Sequence, residues 1–233
     1  MKVFKRMAAA SGVLAIAAVG LAATVQTATA SGGLGCGASG GGPTPGPTHV
    51  LASHFRGLSA TETLSSVSGT IETDVNVDAF QESLALAGSG AAAASVVFVD
   101  VATVDTSSGS LLSDAFGCVP SDAIRIDQPL RSATLGATTV QVFDSFTGVA
   151  LGAITVSGDW TGVGAVTRQT QTGHYHSGAF TQTFNFVGFD RHAIATGTAS
   201  APGLGLSIDC AAIFAELDKV EAGGASICVG GSC

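Results

Sequence analysis

Between Thr70 and Ala79 the chain alternates residue by residue. Ile71, Thr73, Val75, Val77 and Ala79 take one parity; Glu72, Asp74, Asn76 and Asp78 take the other. A period of two places successive side chains on opposite faces of an extended strand, so this stretch predicts a half-buried β-strand. A helix would scatter the same residues around its circumference and leave neither face apolar.

The same grammar of Val, Thr, Ser and Phe, broken by Gly, Asp and Ser, recurs from His49 onward. It predicts strands at 49–56, 60–68, 70–80, 93–105, 110–117, 133–144, 149–158, 163–172, 179–188 and 190–199. The stretch from Ala94 to Asp105 has Val97, Val99 and Val101 on one face and Val96, Phe98 and Val104 on the other. That pattern fits a central strand covered on both sides. Phe180, Phe184 and Phe186 share a parity, and Trp160 is in phase with Ile154 and Val156, which places the one tryptophan in the core. The expected fold is all-β, a mainly antiparallel sandwich or barrel, and an all-β unit over 49–233 can be a single domain.

Two segments share the form D-x-x-[ST]-G-x-x-L: Asp105 to Leu112 and Asp144 to Leu151. Each follows a Val-rich strand. The Asp side chain can accept backbone N–H groups within a turn, and the glycine supplies positive φ, so each predicts a tight hairpin. Two matches do not establish a repeat or decide between duplication and convergence. The stretch 209–222 breaks the pattern. Ile213, Phe214, Leu217 and Val220 fall on one helical face and Gly223-Gly224 follows, which predicts a short C-terminal helix capped by Asp209, then a strand near 225–229.

The N-terminus carries Lys2, Lys5 and Arg6, an apolar run from Met7 to Val25, and Ala28-Thr29-Ala30. This is the pattern of a cleaved export signal over 1–30. Residues 31–48, rich in Gly, Ser and Pro, read as a disordered linker. Gly33 stands where a lipoprotein signal places a large aliphatic residue, which argues against lipidation of Cys36. After residue 30 the chain holds 17 acidic and six basic residues, a net charge of −11 with Lys219 its only lysine. Such a chain repels polyanions, so nucleic acid is excluded as a partner. The expected setting is extracellular, or retained at the cell envelope, with an extracellular ligand or partner of unknown identity. No span across a membrane is expected once the signal is removed.

An exported chain can form disulfides. The candidates are Cys210 with Cys228 and Cys118 with Cys233, leaving Cys36 as the odd thiol. No C-x-x-C pair marks a zinc site. The one G-x-S-x-G match, Gly37 to Gly41, lacks the flanking strand and helix of a nucleophile elbow.

Two constellations carry metal chemistry on paper. His174 and His176 would share one face of an extended segment, with His192 or His54 as a third zinc ligand; Gly173 and Ser177-Gly178 instead suggest a loop there. Asp74, Asn76 and Asp78 resemble the opening of a calcium loop, but Ala79 and Ala85 stand where an EF-hand needs Gly and Glu. On a strand the row reads as a solvent face of like charge that deters edge pairing. Arg168 and Arg191 read as ion-pair partners for nearby Asp. No catalytic residue and no cofactor is predicted, and calcium or zinc enters only through these two groups. The expected function is a non-catalytic extracellular structural or binding module. The alternatives are a calcium-dependent binding or adhesion domain and a metal-dependent hydrolase using His174 and His176.

Overall fold

The computed structural model describes residues 48–86, 91–177 and 180–229, with side chains at 54–83, 93–170, 172 and 185–222. The expected signal, almost all of the linker, Cys36 and Cys233 lie outside those residues. Eleven antiparallel strands form one sheet that closes on itself. They are β1 (Thr48–Ser68), β2 (Ile71–Leu86), β3 (Ala91–Asp105), β4 (Ser110–Pro120), β5 (Ile124–Ile126), β6 (Ser132–Asp144), β7 (Ala150–Gly162), β8 (Thr167–Ser177), β9 (Phe180–Ala201), β10 (Leu206–Ala211) and β11 (Phe214–Val229). The ring runs β1-β2-β3-β4-β6-β7-β9-β11 and back to β1. The expected all-β architecture is therefore present, in its barrel form.

Alternation builds the core. Val75, Val77 and Ala79 of β2, Val97, Val99 and Val101 of β3, Val140 and Val142 of β6, and Ile154, Val156 and Trp160 of β7 all point inward and are buried. β3 is central, between β2 and β4, but only its inner face is fully covered: on the outer face Phe98, Asp100, Ala102 and Val104 are half-buried, with Phe98 stacked on Phe116 at 6.2 Å between ring centroids. The seam between β4 and β6 is short: Ala115 faces Asp144 and Phe116 faces Phe143. There Gly117 lies so close to the backbone of Gln141 that a methyl group could not fit.

Both predicted hairpins form by the predicted chemistry. Asp105 Oδ1 accepts from the Ser107 N–H at 2.9 Å and from its hydroxyl at 2.6 Å. Asp144 Oδ1 accepts from the Phe146 and Thr147 N–H groups at 3.1 and 2.7 Å and from the Thr147 hydroxyl at 2.7 Å. Gly109 and Gly148 both sit at φ 69°, and each donates its N–H to the carbonyl of the turn's Asp. These bonds to the charged form hold both carboxyls below the usual range.

Three expectations are corrected. The segments 49–56 and 60–68 are one strand, β1, as are 179–188 and 190–199 in β9. Gly57 falls in the interval between the two expected segments, and the Phe80 ring lies 3.3 Å from where its Cβ would stand. The predicted helix over 209–222 is absent, replaced by β10 and β11. Ala215 and Leu217 are buried while Phe214 is exposed and Glu216 and Asp218 are half-buried, which is the period of a strand. β11 supplies the hydrogen-bonding edge that joins β9 to β1, and that long-range pairing overrides local helix propensity. Finally, 173–177 is not a loop, because β8 pairs with β9 as far as Ser177 opposite Phe180.

Candidate functional site: an acidic outer face and a buried carboxyl

The polar parity of β2 lies on the outside of the barrel, as its alternation requires, but it is not an open solvent face. Asp74, Asn76 and Asp78 are half-buried. Thr63 Oγ1 donates to Asn76 Oδ1 at 2.7 Å, and Asn76 Nδ2 donates to Asp100 Oδ1 at 3.3 Å. Asn76 is thus used up within the sheet. Thr61 Oγ1 donates to Asp78 Oδ1 at 3.5 Å, while Asp74 Oδ1 is buried with no hydrogen-bond partner.

Register extends the row sideways. Thr61 lies opposite Asp78 on one side and Glu216 on the other, Ser59 lies opposite Asp218, and on β9 His192 and Asp190 face Glu216 and Asp218. Crowded, half-buried carboxyls resist ionisation. Burial raises Asp218 to about 7, reinforced by Glu216, Asp190 and Asp78. Burial also raises Asp78 to about 6 against the opposing bond from Thr61. Glu216 is raised by burial and by Asp190, moderated by His192; Asp100 is raised by burial and by Asp114, moderated by Asn76. Burial and mutual repulsion thus disfavour the ionised form of these four carboxyls.

A second group sits inside the barrel. Glu62 is in phase with Ala60 and Leu64 on the inner face of β1, has no exposed surface, and neither carboxyl oxygen has a hydrogen-bond partner. Opposite it, Gly158 of β7 and Gly197 of β9 are register partners. A methyl group on Gly158 would lie 2.7 Å from Glu62 Oε1 and 2.6 Å from the Trp160 ring, and one on Gly197 would also collide with the carboxyl. The glycine pair is the hollow that admits Glu62. Trp160 closes the same region and donates Nε1–H to the Thr61 carbonyl at 3.0 Å. Burial raises the Glu62 carboxyl from 4.5 to about 7, with a further contribution from Asp159. Walled off from solvent, this acid cannot meet a substrate. Sequence reading missed it, although one signal was present: a Glu on the apolar parity of a strand, with two glycines on the apolar parities of two others.

The two predicted metal groups lie on different strands, Asp74, Asn76 and Asp78 on β2 and the two histidines on β8. His174 and His176 occupy β8 opposite Thr183 and Thr181; their side chains lie outside the described residues. His192 is nine residues from Thr183 along β9, roughly 30 Å in an extended strand. His54 is on β1, three strand spacings from β8, roughly 14 Å. Neither can complete a site with that pair. Among the described residues no three His, Cys, Asp or Glu side chains converge to hold a metal ion.

The Cys210–Cys228 pairing is also corrected. Cys210 is a free thiol, opposite Gly197, while Cys228 is opposite Thr181. Sixteen residues of β9, roughly 50 Å, separate them, against a limit of about 7 Å between the Cα atoms of a disulfide. Cys118 is engaged, and its expected partner Cys233 lies outside the described residues. Arg191 donates Nη1–H to the Leu130 carbonyl at 3.3 Å, and the ion pairs among the described residues are Arg56 and Lys219 with Glu221, at 3.5 and 3.6 Å.

An open groove of about 320 Å³ beside β5 is lined by Gln81, Arg125, Asp127 and Thr134 among others. Two of its polar side chains are engaged: Gln81 donates to the Ile124 carbonyl and accepts from the Ile126 N–H, both at 3.2 Å, and Arg125 donates to the Asp122 and Ile124 carbonyls. No helix among the described residues is long and apolar enough to cross a membrane. Fold and site together define an antiparallel β-barrel whose interior, over the described side chains, is packed with the chain's own residues. No family model, curated protein or solved structure matches the chain.

Proposed function

We propose that this chain is an exported, acidic β-barrel module with a structural or binding role outside the cell, and not an enzyme. The filled interior carries this reading. Over the described side chains, apolar residues, Trp160 and a sealed Glu62 occupy the space in which a barrel enzyme or carrier would receive its ligand. The polar groups that remain are on the outside, bonded to one another across strands. The leader-like N-terminus and the engaged Cys118 support export and a disulfide.

A second reading, calcium-dependent binding or adhesion, rests on Asp74, Asn76 and Asp78 of the outward parity of β2, where Asp74 Oδ1 has no hydrogen-bond partner. A zinc hydrolase would need His174 and His176 with a ligand other than His54 or His192. Elemental analysis of the purified protein, with melting in calcium and in chelator, separates the three. A metal-free protein whose melting calcium does not change fits the module. Calcium-raised melting would replace it with the second reading. Stoichiometric zinc lost in the His174→Ala, His176→Ala variant would replace it with the third.

A further inference from the structure

Several strands run on beyond the packed interior, and there their inner parity changes from apolar to basic. β9 continues from Ala193, where its pairing with β7 ends, to Phe180, and β1, β2, β8 and β11 extend beside it. Register sets Gln81, Leu58, Lys219, Phe189 and Arg168 in one row across five strands on that face. Arg56 is two residues from Leu58 on β1, and Arg191 is two residues from Phe189 on β9, so both share the face. With strands about 4.8 Å apart and residues about 3.3 Å apart, the Cα atoms of Arg56, Arg168 and Arg191 each lie within roughly 10 Å of that of Lys219. The loop before β6 closes the barrel beneath them. Leu130 is buried there, Arg191 Nη1–H donates to its carbonyl at 3.3 Å, and the Gly162 N–H donates to the Arg131 carbonyl at 2.7 Å.

All six basic residues that follow residue 30 belong to this mouth. Besides the four on the strands, Arg131 follows Leu130, and Arg125 is on β5, which Gln81 ties down through the Ile124 carbonyl and the Ile126 N–H. Asp127 lines the groove beside Arg125. Among the described residues on the inner face of the strands there is one acid, Glu221, with its Oε1 3.5 Å from Arg56 Nε and 3.6 Å from Lys219 Nζ. Asp190 and Asp218 are of the opposite parity and lie on the outer face. Four cations against one carboxylate leave three positive charges in excess, in a chain whose net charge after residue 30 is −11.

These cations also lack acceptors. Arg56 Nε and Arg191 Nε are both buried with no hydrogen-bond partner among the described residues. Lys219 Nζ lies 4.3 Å from the centre of the Phe189 ring, and Arg168 is exposed. A buried N–H without an acceptor costs free energy, and an oxyanion would supply acceptor and countercharge together. Guanidinium groups match the paired oxygens of carboxylates and phosphates. A long polyanion would run out of the mouth onto the acidic outer face and be repelled, whereas a compact anion meets the mouth alone. Leu130 keeps such a ligand out of the barrel, so it would be held at the mouth.

We propose that Arg56, Arg168, Arg191 and Lys219 form a binding site for a compact multivalent oxyanion, carried as a polycarboxylate or a phosphate group. This gives the exported module a ligand class and rests on that reading.

The test is titration calorimetry of the purified protein at pH 7 and low salt with citrate and with pyrophosphate. The wild type should bind at least one of them, more weakly as sodium chloride is added, and the tighter of the two names the group. Arg56→Gln with Arg168→Gln should raise the dissociation constant at least about tenfold, from two charged hydrogen-bond donors lost. Glu221→Gln should tighten binding severalfold by removing the competing carboxylate. Glu72→Gln makes the same change in net charge near the β1–β2 turn and should leave binding unchanged. The circular dichroism spectrum and melting curve check that each variant folds; if the arginine variant does not, the comparison of Glu221→Gln with Glu72→Gln still decides. No binding of either anion, equal binding by a folded arginine variant, equal effects of the two glutamate variants, or binding of heparin alone would overturn the proposal. Any of these would leave a purely structural module standing, whereas bound zinc or calcium-raised melting would replace the module reading whatever these titrations show.

Discussion

Glu62 gives the sharpest test of the barrel interior. Its carboxyl has no exposed surface, no hydrogen-bond partner and a folded-state pKa of about 7 against 4.5. Between those two values the folded protein holds a proton that the unfolded chain releases. Stability from this site is therefore full below about pH 4.5 and is lost as pH rises through 7. A shift of this size corresponds to about 3 kcal/mol at 1.36 kcal/mol per pH unit. Glu62→Gln keeps the shape and stays neutral at every pH. At pH 4 the two proteins should be similar, because the protonated acid and the amide are equally short of partners. At pH 8 the variant should be more stable by about 3 kcal/mol, or roughly 6–12 °C in melting temperature for a domain of this size. Asp78 and Asp218 also make the wild type less stable as pH rises, but they do so in both proteins and cancel in the difference. The assay is urea unfolding followed by Trp160 fluorescence at pH 4, 6 and 8. Wild-type and Glu62→Gln stability curves that stay parallel across this range would refute a buried, ionisable Glu62.

Gly197→Ala should destabilise the protein by about 1–3 kcal/mol through overpacking against Glu62. Adding Glu62→Ala should recover part of that loss in a double-mutant cycle read by urea midpoints. Gly148→Ala should cost about 1 kcal/mol, because φ 69° is unfavourable for a side chain, and the open space around it removes packing as a competing cause; thermal melting checks this. Asp218→Asn should raise the melting temperature at pH 8 and leave it nearly unchanged at pH 3, as its carboxyl is held up by burial and by three like charges. Trp160→Phe should lower stability in the same unfolding assay, made with an added reporter fluorophore, by removing the donor to the Thr61 carbonyl and leaving a gap beside Gly158.

Local chemistry was the part of this fold legible in sequence. The alternation of β2, the two faces of β3, the Asp and Gly of both hairpins and the inward tryptophan all follow from rules spanning a few residues. Features set by distant partners were not legible. The segment 209–222 has helix-forming residues, and only the need of β9 and β1 for an edge between them makes it extended. Cys210 and Cys228 bracket one sequence unit, but β9 holds them at positions far apart along its length. The acidic row was correctly placed on the outward parity, yet its burial depends on what β1, β3 and β11 set beside it. Glu62 was visible as a residue out of keeping with its strand, but its room comes from glycines about 100 and 135 positions later.

The pairing of β1 with β11 also sets a clock. Thr48 to Thr63 must wait for partners at 214–229 before their second edge is satisfied. Some 145 residues separate the end of β1 from the start of β11, which at a synthesis rate of about 5–20 residues per second takes roughly 7–30 seconds. Throughout that interval β1 has at most β2 for company, and its far side is a row of bare donors and acceptors open to any passing strand. In the finished ring that side of β1 is closed by β11; the growing chain has a window in which it must be kept apart from other strands.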